Sequence, residues 1–321
     1  MPNGKNILPT GNKEGLFSFY AAMKHLFLIN PCAGGTDHSR AIADEVRSLN
    51  IDTEIYITRG ERDATHYVDD YCRQHPGEAV RFYACGGDGT LNEVVSGAIG
   101  HEGAEVTCYP CGSGNDYVKY FEGADFHNLK ALTEAPTVEV DVMRVNGNRY
   151  GLNAMHIGFE AEVCRHMAEV RRKPLIGGKM TYTTAIAKSL AVGRRTYCRL
   201  IVDGEMWHDG DLLLASLANG RYVGGGYKCA PRSQNDDGLL EVAVMRPLTL
   251  VRFAKSIGYY RKGEHLDREK MRDVVRYRRA QRVVVENDRP FHIGIDGELL
   301  QGSRFEVENL HRALRFAVPR G

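Results

Sequence analysis

From residue 24 onward, short apolar runs alternate with stretches in which apolar residues recur every three or four positions. HLFLIN (25–30), IDTEIYIT (51–58), AVRFYAC (79–85) and EVTCYPC (105–111) have the length and composition of buried strands. Between them, SRAIADEVRSLN (39–50) places Ile42, Val46 and Leu49 on one helical face, and RDATHYVDDYCRQ (62–74) reads as a second helix. The strands run into NPCAGG, ITRGERDA, CGGDGT and CGSGND. Strands and helices alternating through short loops predict a parallel sheet wound by helices, with a ligand site beyond the carboxyl ends of the strands.

From about Asp141 the rhythm changes. VEVDVMRVNGNRYGLNAMHIG (138–158) gives short strands divided by Asn-Gly turns. Residues 198–220 and 239–245, a strand from about Arg279 to Asn287, and PFHIGIDGELL (290–300) continue with Asp-Gly turn signals. Two helical stretches interrupt them, about Glu160 to Val192 and about Leu248 to Arg278. The fold class expected is α/β plus β: a polar leader (1–14), an α/β domain (15–142), a β-rich sandwich-like domain (143–305) and a C-terminal segment (306–321) returning to the first domain.

A length of 321 residues favours two domains over one. With 43% apolar and 26% charged residues the chain is an ordinary globular protein, and a net charge of +1 leaves any attraction to phosphate or an anionic surface to local patches. Nucleic acid is therefore not an expected partner. The eight cysteines are scattered and no secretory signal opens the chain, which points to reduced thiols and a cytoplasmic location. Cys108 and Cys111 form a CxxC with no second pair to complete a zinc site, so buried thiols are expected. No apolar run reaches the ~20 residues of a membrane-spanning helix, and LFSFYAAMKHLFLIN (16–30) is broken by Lys24 and His25.

The chemistry concentrates at two glycine-rich strand ends. Thr90-Leu91-Asn92-Glu93 fits a capping box, with Thr90 as cap, and Ser113-Gly114-Asn115-Asp116 offers a similar helix start one unit later. Neighbouring helix starts present clustered N–H groups to one cleft, a geometry that suits phosphate. Asp88 and Asp116 are placed to hold a magnesium ion directly or through water. Neither a Walker A sequence nor a G-x-G-x-x-G fingerprint occurs there, so the nucleotide site is of another type.

GGDGTLNEV (86–94), preceded by NPCAGG (30–35) and followed by GSGNDY (112–117), resembles the diacylglycerol kinase catalytic domain, and more narrowly the bacterial lipid kinases related to sphingosine and ceramide kinases. The resemblance continues through DVMRVNG, NAMHIGFEAEV, APRSQNDDGLLEVAVM and IDGELL. It implies transfer of the γ-phosphoryl group of ATP to a lipid hydroxyl, with a diacylglycerol-like acceptor, between an α/β nucleotide domain and a β-rich lipid domain. It further implies that Asn30, Pro31, Cys32, Ala33, Gly34 and Thr58 cradle nucleotide. Gly86, Gly87, Asp88, Gly89, Thr90, Asn92 and Glu93 would wrap the phosphates, joined by Gly112 and Ser113. Asp88, Asp116 and Asp141 match acidic positions of the magnesium and water network.

IDGELL is by itself an Asp-Gly hairpin turn; the resemblance puts its carboxylates in the active site, with Glu298 or Asp296 accepting the hydroxyl proton. QNDDGLL reads as a polar turn, and the resemblance implies a second, structural magnesium on the Asp237 side chain and the carbonyls of Gln234 and Leu239. Cys32-Ala33 departs from the family, where a Ser before Gly34 is common, and so does YVKYF after Asp116, where Phe-Ala usually follows.

Two basic stretches suit peripheral contact with the inner face of a membrane. One carries Arg171, Arg172, Lys173, Lys179, Lys188, Arg194 and Arg195; the other, from Arg252 to Arg282, holds eleven Lys or Arg against four acids. Ile157, Phe159 and Leu217 are candidates to line an acyl site, although core packing is the ordinary role of such residues. An NAD kinase, or a catalytically silent lipid-binding protein of the same fold, is the competing expectation, and edge strands in the second domain allow a homodimer.

Overall fold

The computed structural model describes residues 23–171, 189 and 195–320. The leader and most of the first basic stretch, including Arg172, Lys173, Lys179, Lys188 and Arg194, lie outside the described residues.

The first half is a parallel sheet. Strands β1 (Lys24–Ile29), β2 (Thr53–Ile57), β3 (Val80–Gly86) and β4 (Ala104–Pro110) lie in the order β2-β1-β3-β4. Their connections carry helices α1 (Ser39–Ser48), α2 (Asp63–Gln74) and α3 (Asp88–Ala98). Every residue of β3 is buried, as a strand covered on both faces must be. Even Arg81 is fully enclosed; its guanidinium pairs with Glu105 and closes the carbonyls of Leu132 in the short helix α4 (Leu129–Thr133) and of Ala135 just beyond it. Buried charge of this kind is tolerable because every donor has an acceptor.

The second half is antiparallel. It comprises β5 (Thr137–Val145), β6 (Arg149–Gly151), β7 (Ala154–Gly158), β8 (Thr196–Val202), β9 (Glu205–Leu212) and β10 (Leu214–Ala218). It continues through β11 (Leu240–Met245), β12 (Val275–Ala280), β13 (Arg282–Ile295) and β14 (Glu298–Ala317). Helices α5 (Phe159–Arg171) and α6 (Leu250–Lys262) pack on this half.

Strand β14 joins the two halves. Its start pairs with β13, its middle and end with β5, and Phe316 pairs in parallel with Val106 of β4. Phe305 and Val307 belong to the core of the second half, Leu314 and Phe316 to that of the first. Ile157 and Leu217 are fully buried in the former, so they are core; Phe159 packs in a third cluster against Phe253 of α6.

Two expectations fail locally. The helix expected from Leu248 to Arg278 ends at Gly263, a left-handed C-cap, and VRYRRA becomes β12, because β11 offers its free edge for pairing. The strand expected from Arg279 is thereby split, with β12 ending at Ala280 and β13 starting at Arg282.

Candidate active site

The strand ends of β1, β3 and β4 meet in direct backbone contact. A Cβ on Gly112 would lie 2.4 Å from the Gly87 Cα, and one on Gly34, which has φ +69°, would lie 2.3 Å from the Cys111 carbonyl oxygen. Side chains at these points would push the loops apart, so the glycines set the closeness of the site. Asn30 fixes the first loop: its Oδ1 accepts the Cys32 N–H at 2.9 Å and its Nδ2 donates to Thr90 Oγ1 at 2.9 Å. Thr58 is buried at the end of β2, its N–H on the Ile29 carbonyl. Cys32, Gly34, Gly89 and Ser113 are exposed along the rim of these loops, where a bound molecule can reach them, and Ala33 is half-buried among them.

The capping box is not formed. Gly87, not Thr90, is the N-cap of α3, and Thr90 is buried inside the helix against the Gly86 Cα. Glu93 points away to α2, where its Oε2 accepts the Ala64 N–H at 3.3 Å. Tertiary packing decides both. The second helix start is a single 3-10 turn, Tyr117–Tyr120.

That turn positions the acids. Asp88 Oδ1 accepts the backbone N–H of Asp116 at 2.6 Å and of Tyr117 at 3.3 Å. The Oδ2 atoms of both aspartates flank Gly114, 2.9 and 3.4 Å from where its Cβ would stand. Asp116 is further held by Lys119 Nζ at 2.6 Å and by the Gly225 N–H at 2.8 Å. Burial, reinforced by the charge of Asp116, pushes the Asp88 carboxyl up to about 6, and Asp296 adds to the rise. Asp88 Oδ2 is a hard oxygen donor that fits a magnesium ion, which takes one or two protein carboxylates and completes its shell with phosphate and water; both oxygens of Asp116 already accept, from Lys119 and Gly225, which leaves it a water-mediated role.

The Asp296-Gly297 turn connects β13 to β14, with φ of 45° and 92° as a type I′ hairpin needs. The Asp296 carboxylate is filled by the N–H groups of Leu152 (2.5 Å), Asn153 (3.1 Å) and Ala154 (2.8 Å) and by Asn92 Nδ2 (3.0 Å). Asn92 thereby ties α3 to the second half, reaching the Tyr150 carbonyl as well. Glu298 is half-buried, and burial raises its carboxyl while Arg149 opposes the rise. The two carboxylates of IDGELL thus differ: Asp296 is locked in a cradle of donors, and Glu298 is not.

Residues 24–145 match the family described as "Diacylglycerol kinase catalytic domain", and residues 153–318 match "YegS C-terminal NAD kinase beta sandwich-like domain". The chain belongs to the diacylglycerol kinase catalytic-domain superfamily. It is 29% identical over 242 residues to a "Probable lipid kinase YegS-like" of Alcanivorax borkumensis, spanning 74% of this chain and 78% of that protein. A protein of the same description from Pseudomonas fluorescens is 27% identical over 92% of this chain and 95% of its own length. A crystal structure of a diacylglycerol kinase from Bacillus anthracis str. Sterne shares the fold, with a TM-score of 0.65 at 19% identity over 92% of this chain and 96% of that one.

Within this diacylglycerol kinase-type fold, Asp141 is not beside Asp88. It stands at the hydroxyl end of the Tyr117 ring, where Asn235 bonds both Tyr117 OH and the Asp141 N–H, whereas Asp88 holds the backbone end of Tyr117. All of its carboxylate capacity is used: Oδ1 accepts from Arg312 N (2.8 Å) and His311 Nδ1 (3.0 Å), Oδ2 from Gly238 N (2.6 Å) and Asn309 Nδ2 (2.9 Å). Asp141 clamps the 235–238 loop to β14.

The second magnesium expected in that loop does not fit the residues as placed. Asp237 Oδ1 accepts the Leu239 N–H at 3.0 Å, and its other oxygen is in ion-pair contact with the Arg279 guanidinium from β12. A fixed cation already neutralises the carboxylate. Gln234 is exposed on the loop surface. Among the described residues no cluster of three or more acidic, His or Cys ligands forms a metal centre.

Several participants were not anticipated from the sequence. Lys119, just after the Tyr117-Val118 pair that departs from the family pattern, pairs with Asp116. Gly225 belongs to the GGG run at 224–226, a visible signal of close backbone approach that carried no motif. Arg149 acts on Glu298 from the Asn-Gly turn strand β6. Cys108 and Cys111 are free thiols whose burial raises their pKa, Cys111 to about 11.

Proposed function

We propose that the protein is an ATP-dependent lipid kinase that phosphorylates the hydroxyl of a diacylglycerol-like acceptor, giving a phosphatidic acid-type product. The observation that carries this reading is the Asn92–Asp296 bond, which fastens the IDGELL hairpin to the helix that starts in GGDGT. A proton-accepting carboxylate and a phosphate loop are thereby joined across the two halves.

The N–H groups of the β3–α3 and β4 loops receive the phosphates, and Gly87 and Gly112 allow the oxygens to approach the backbone. Asp88 and Asp116 would hold magnesium, which when bound offsets charge on the β- and γ-phosphates. The lipid hydroxyl oxygen attacks the γ-phosphorus, the bond from that phosphorus to the bridging oxygen of ADP breaks, and the hydroxyl proton passes to Glu298. Burial raises its carboxyl, the direction that strengthens a base. Asp296 orients the hairpin by accepting the N–H groups of Leu152, Asn153 and Ala154.

The deciding experiment incubates purified protein, magnesium and γ-labelled ATP with diacylglycerol, monoacylglycerol, sphingoid bases, ceramide and NAD. Label in a lipid product, lost in Asp88→Ala, supports the proposal. Label in NAD alone overturns it in favour of an NAD kinase, and label in none favours a binding protein.

A further inference from the structure

Helix α6, LVRFAKSIGYYRK, holds four cations and no acid. Its inner side is seated: Phe253, Ser256 and Tyr260 are buried, with the Phe253 ring 5.3 Å from Phe159 and Tyr260 OH donating to Glu160 at 2.8 Å. At 100° per residue the opposite side carries Leu250, Val251, Lys255, Arg261 and Lys262, all exposed. Leu250 and Val251 are 54% and 67% exposed, against an ordinary tendency of such side chains to be covered. The small residues Ala254 and Gly258 lie between Leu250 and Val251 around the helix, so the helix axis can come close to a flat surface.

The cations of this face are not spent on neighbouring acids, although the Arg261 guanidinium lies 5.9 Å from the centre of the Tyr227 ring. Arg252, at its margin, is held by Asp273 at 2.7 Å, and Arg268 below the helix by Glu264 at 2.6 Å. Lys255, Arg261 and Lys262 have no carboxylate at ion-pair distance among the described residues. With a formal charge of only +1 on the whole chain, the concentration of positive charge here is local.

We propose that this face of α6 docks on an anionic phospholipid bilayer, Leu250 and Val251 entering the interface while Lys255, Arg261 and Lys262 meet headgroup phosphates. The proposal rests on the lipid kinase reading, because that substrate is dissolved in such a bilayer. Charge argues against a second copy of the chain as the occupant, which would bring the same cations onto these. The docking face is also joined to the site. The Arg261 carbonyl accepts the Lys228 N–H at 3.2 Å, Tyr227 and Val223 bridge across the glycine turn, and Gly225 of that turn donates to Asp116 at 2.8 Å. One short loop thus runs from the membrane-facing helix to a carboxylate of the phosphate pocket.

The test is co-sedimentation of the full chain with vesicles of phosphatidylcholine containing about 30% phosphatidylglycerol, against phosphatidylcholine alone. Wild type is expected to pellet with the anionic vesicles. Leu250→Gln/Val251→Gln and Lys255→Glu/Arg261→Glu/Lys262→Glu are each expected to lower partitioning by roughly tenfold or more, with melting temperature and ATP binding unchanged. Wild type left in the supernatant, or variants that pellet like wild type, overturn the proposal. So does a wild-type dimer that the Leu250/Val251 change splits while vesicle binding stays the same. Lipid labelling is scored on the same samples: docking through α6 without any labelled lipid supports the docking and overturns only the kinase reading.

Discussion

Asp88 and Asp116 are bound to each other through the backbone: Asp88 Oδ1 accepts the Asp116 N–H at 2.6 Å while both Oδ2 atoms face Gly114. The arrangement presents two carboxylates to one point; Lys119 pairs with Asp116, while buried Asp88 has no cation at ion-pair distance among the described residues and costs stability when ionised. The folded-state pKa of Asp88 is about 6 against 3.8, so the folded protein binds the extra proton more tightly than the unfolded chain. Its contribution to stability is therefore greatest below about pH 4 and is lost as pH rises through about 6.

Asp88→Asn removes that penalty. In chelator at pH 8 the variant should be more stable than wild type by about 1–3 kcal/mol, a gain that vanishes near pH 4. Its phosphotransfer rate should fall by about 10³-fold or more if Asp88 holds magnesium as proposed. Melting curves at both pH values and the labelled-ATP assay check the pair. A variant less stable than wild type at pH 8 would contradict the burial argument.

Glu298 and Asp296 should separate cleanly in kinetics and stability. Glu298→Gln keeps the shape and removes the proposed base, so kcat should fall by about 10²–10⁴ while KM for ATP stays within a few-fold. Asp296→Ala instead strands the N–H groups of Leu152, Asn153 and Ala154 and the amide of Asn92 in a buried place. Unfolding in urea should register a loss of about 3 kcal/mol or more.

The parallel half of the fold was legible because its strands are uninterrupted apolar runs between helices with clear stripes. Errors arose where a local pattern competed with a distant partner. Thr90 and Glu93 have capping-box spacing, yet Gly86 admits the Thr90 side chain and the start of α2 takes Glu93. VRYRRA has helix-forming arginines, but β11 needed a neighbour. The glycine loops and the Asp-Gly hairpin were visible by composition. What each carboxylate does was not, because it depends on N–H groups far away in sequence: Arg312 and Gly238 for Asp141, Leu152 to Ala154 for Asp296.

The contact between Gly87 and Gly112 makes a steric prediction. Gly112→Ala puts a methyl 2.4 Å from the Gly87 Cα, a distance that backbone atoms can relieve only by parting the two loops. Overpacking of this kind costs about 1–3 kcal/mol. ATP affinity, measured by calorimetry, should drop roughly tenfold or more by the same displacement. Ser113→Ala, at an exposed position of the same loop, should leave stability unchanged. Equal ATP affinity in Gly112→Ala and wild type would mean that the loops do not hold the nucleotide.

The Asp237–Arg279 pair predicts how the protein responds to metal removal. If the guanidinium stands where a structural cation was expected, the 234–239 loop needs no magnesium. Protein desalted without added metal should then carry no tightly held divalent ion, and chelator should leave its melting temperature in the absence of nucleotide unchanged. Arg279→Met exposes the requirement: Asp237, only 19% exposed in its side chain, loses its counter-charge at a cost of about 1–3 kcal/mol. Millimolar magnesium should restore part of that loss in Arg279→Met and have little effect on wild type. Asp237→Asn/Arg279→Met, which lacks both charges, should lose less than Arg279→Met alone and should not respond to magnesium, a double-mutant pattern expected of a charge pair. Wild type that melts earlier in chelator, or that retains one magnesium per chain after desalting, would return the loop to a metal site with Arg279 as a bystander.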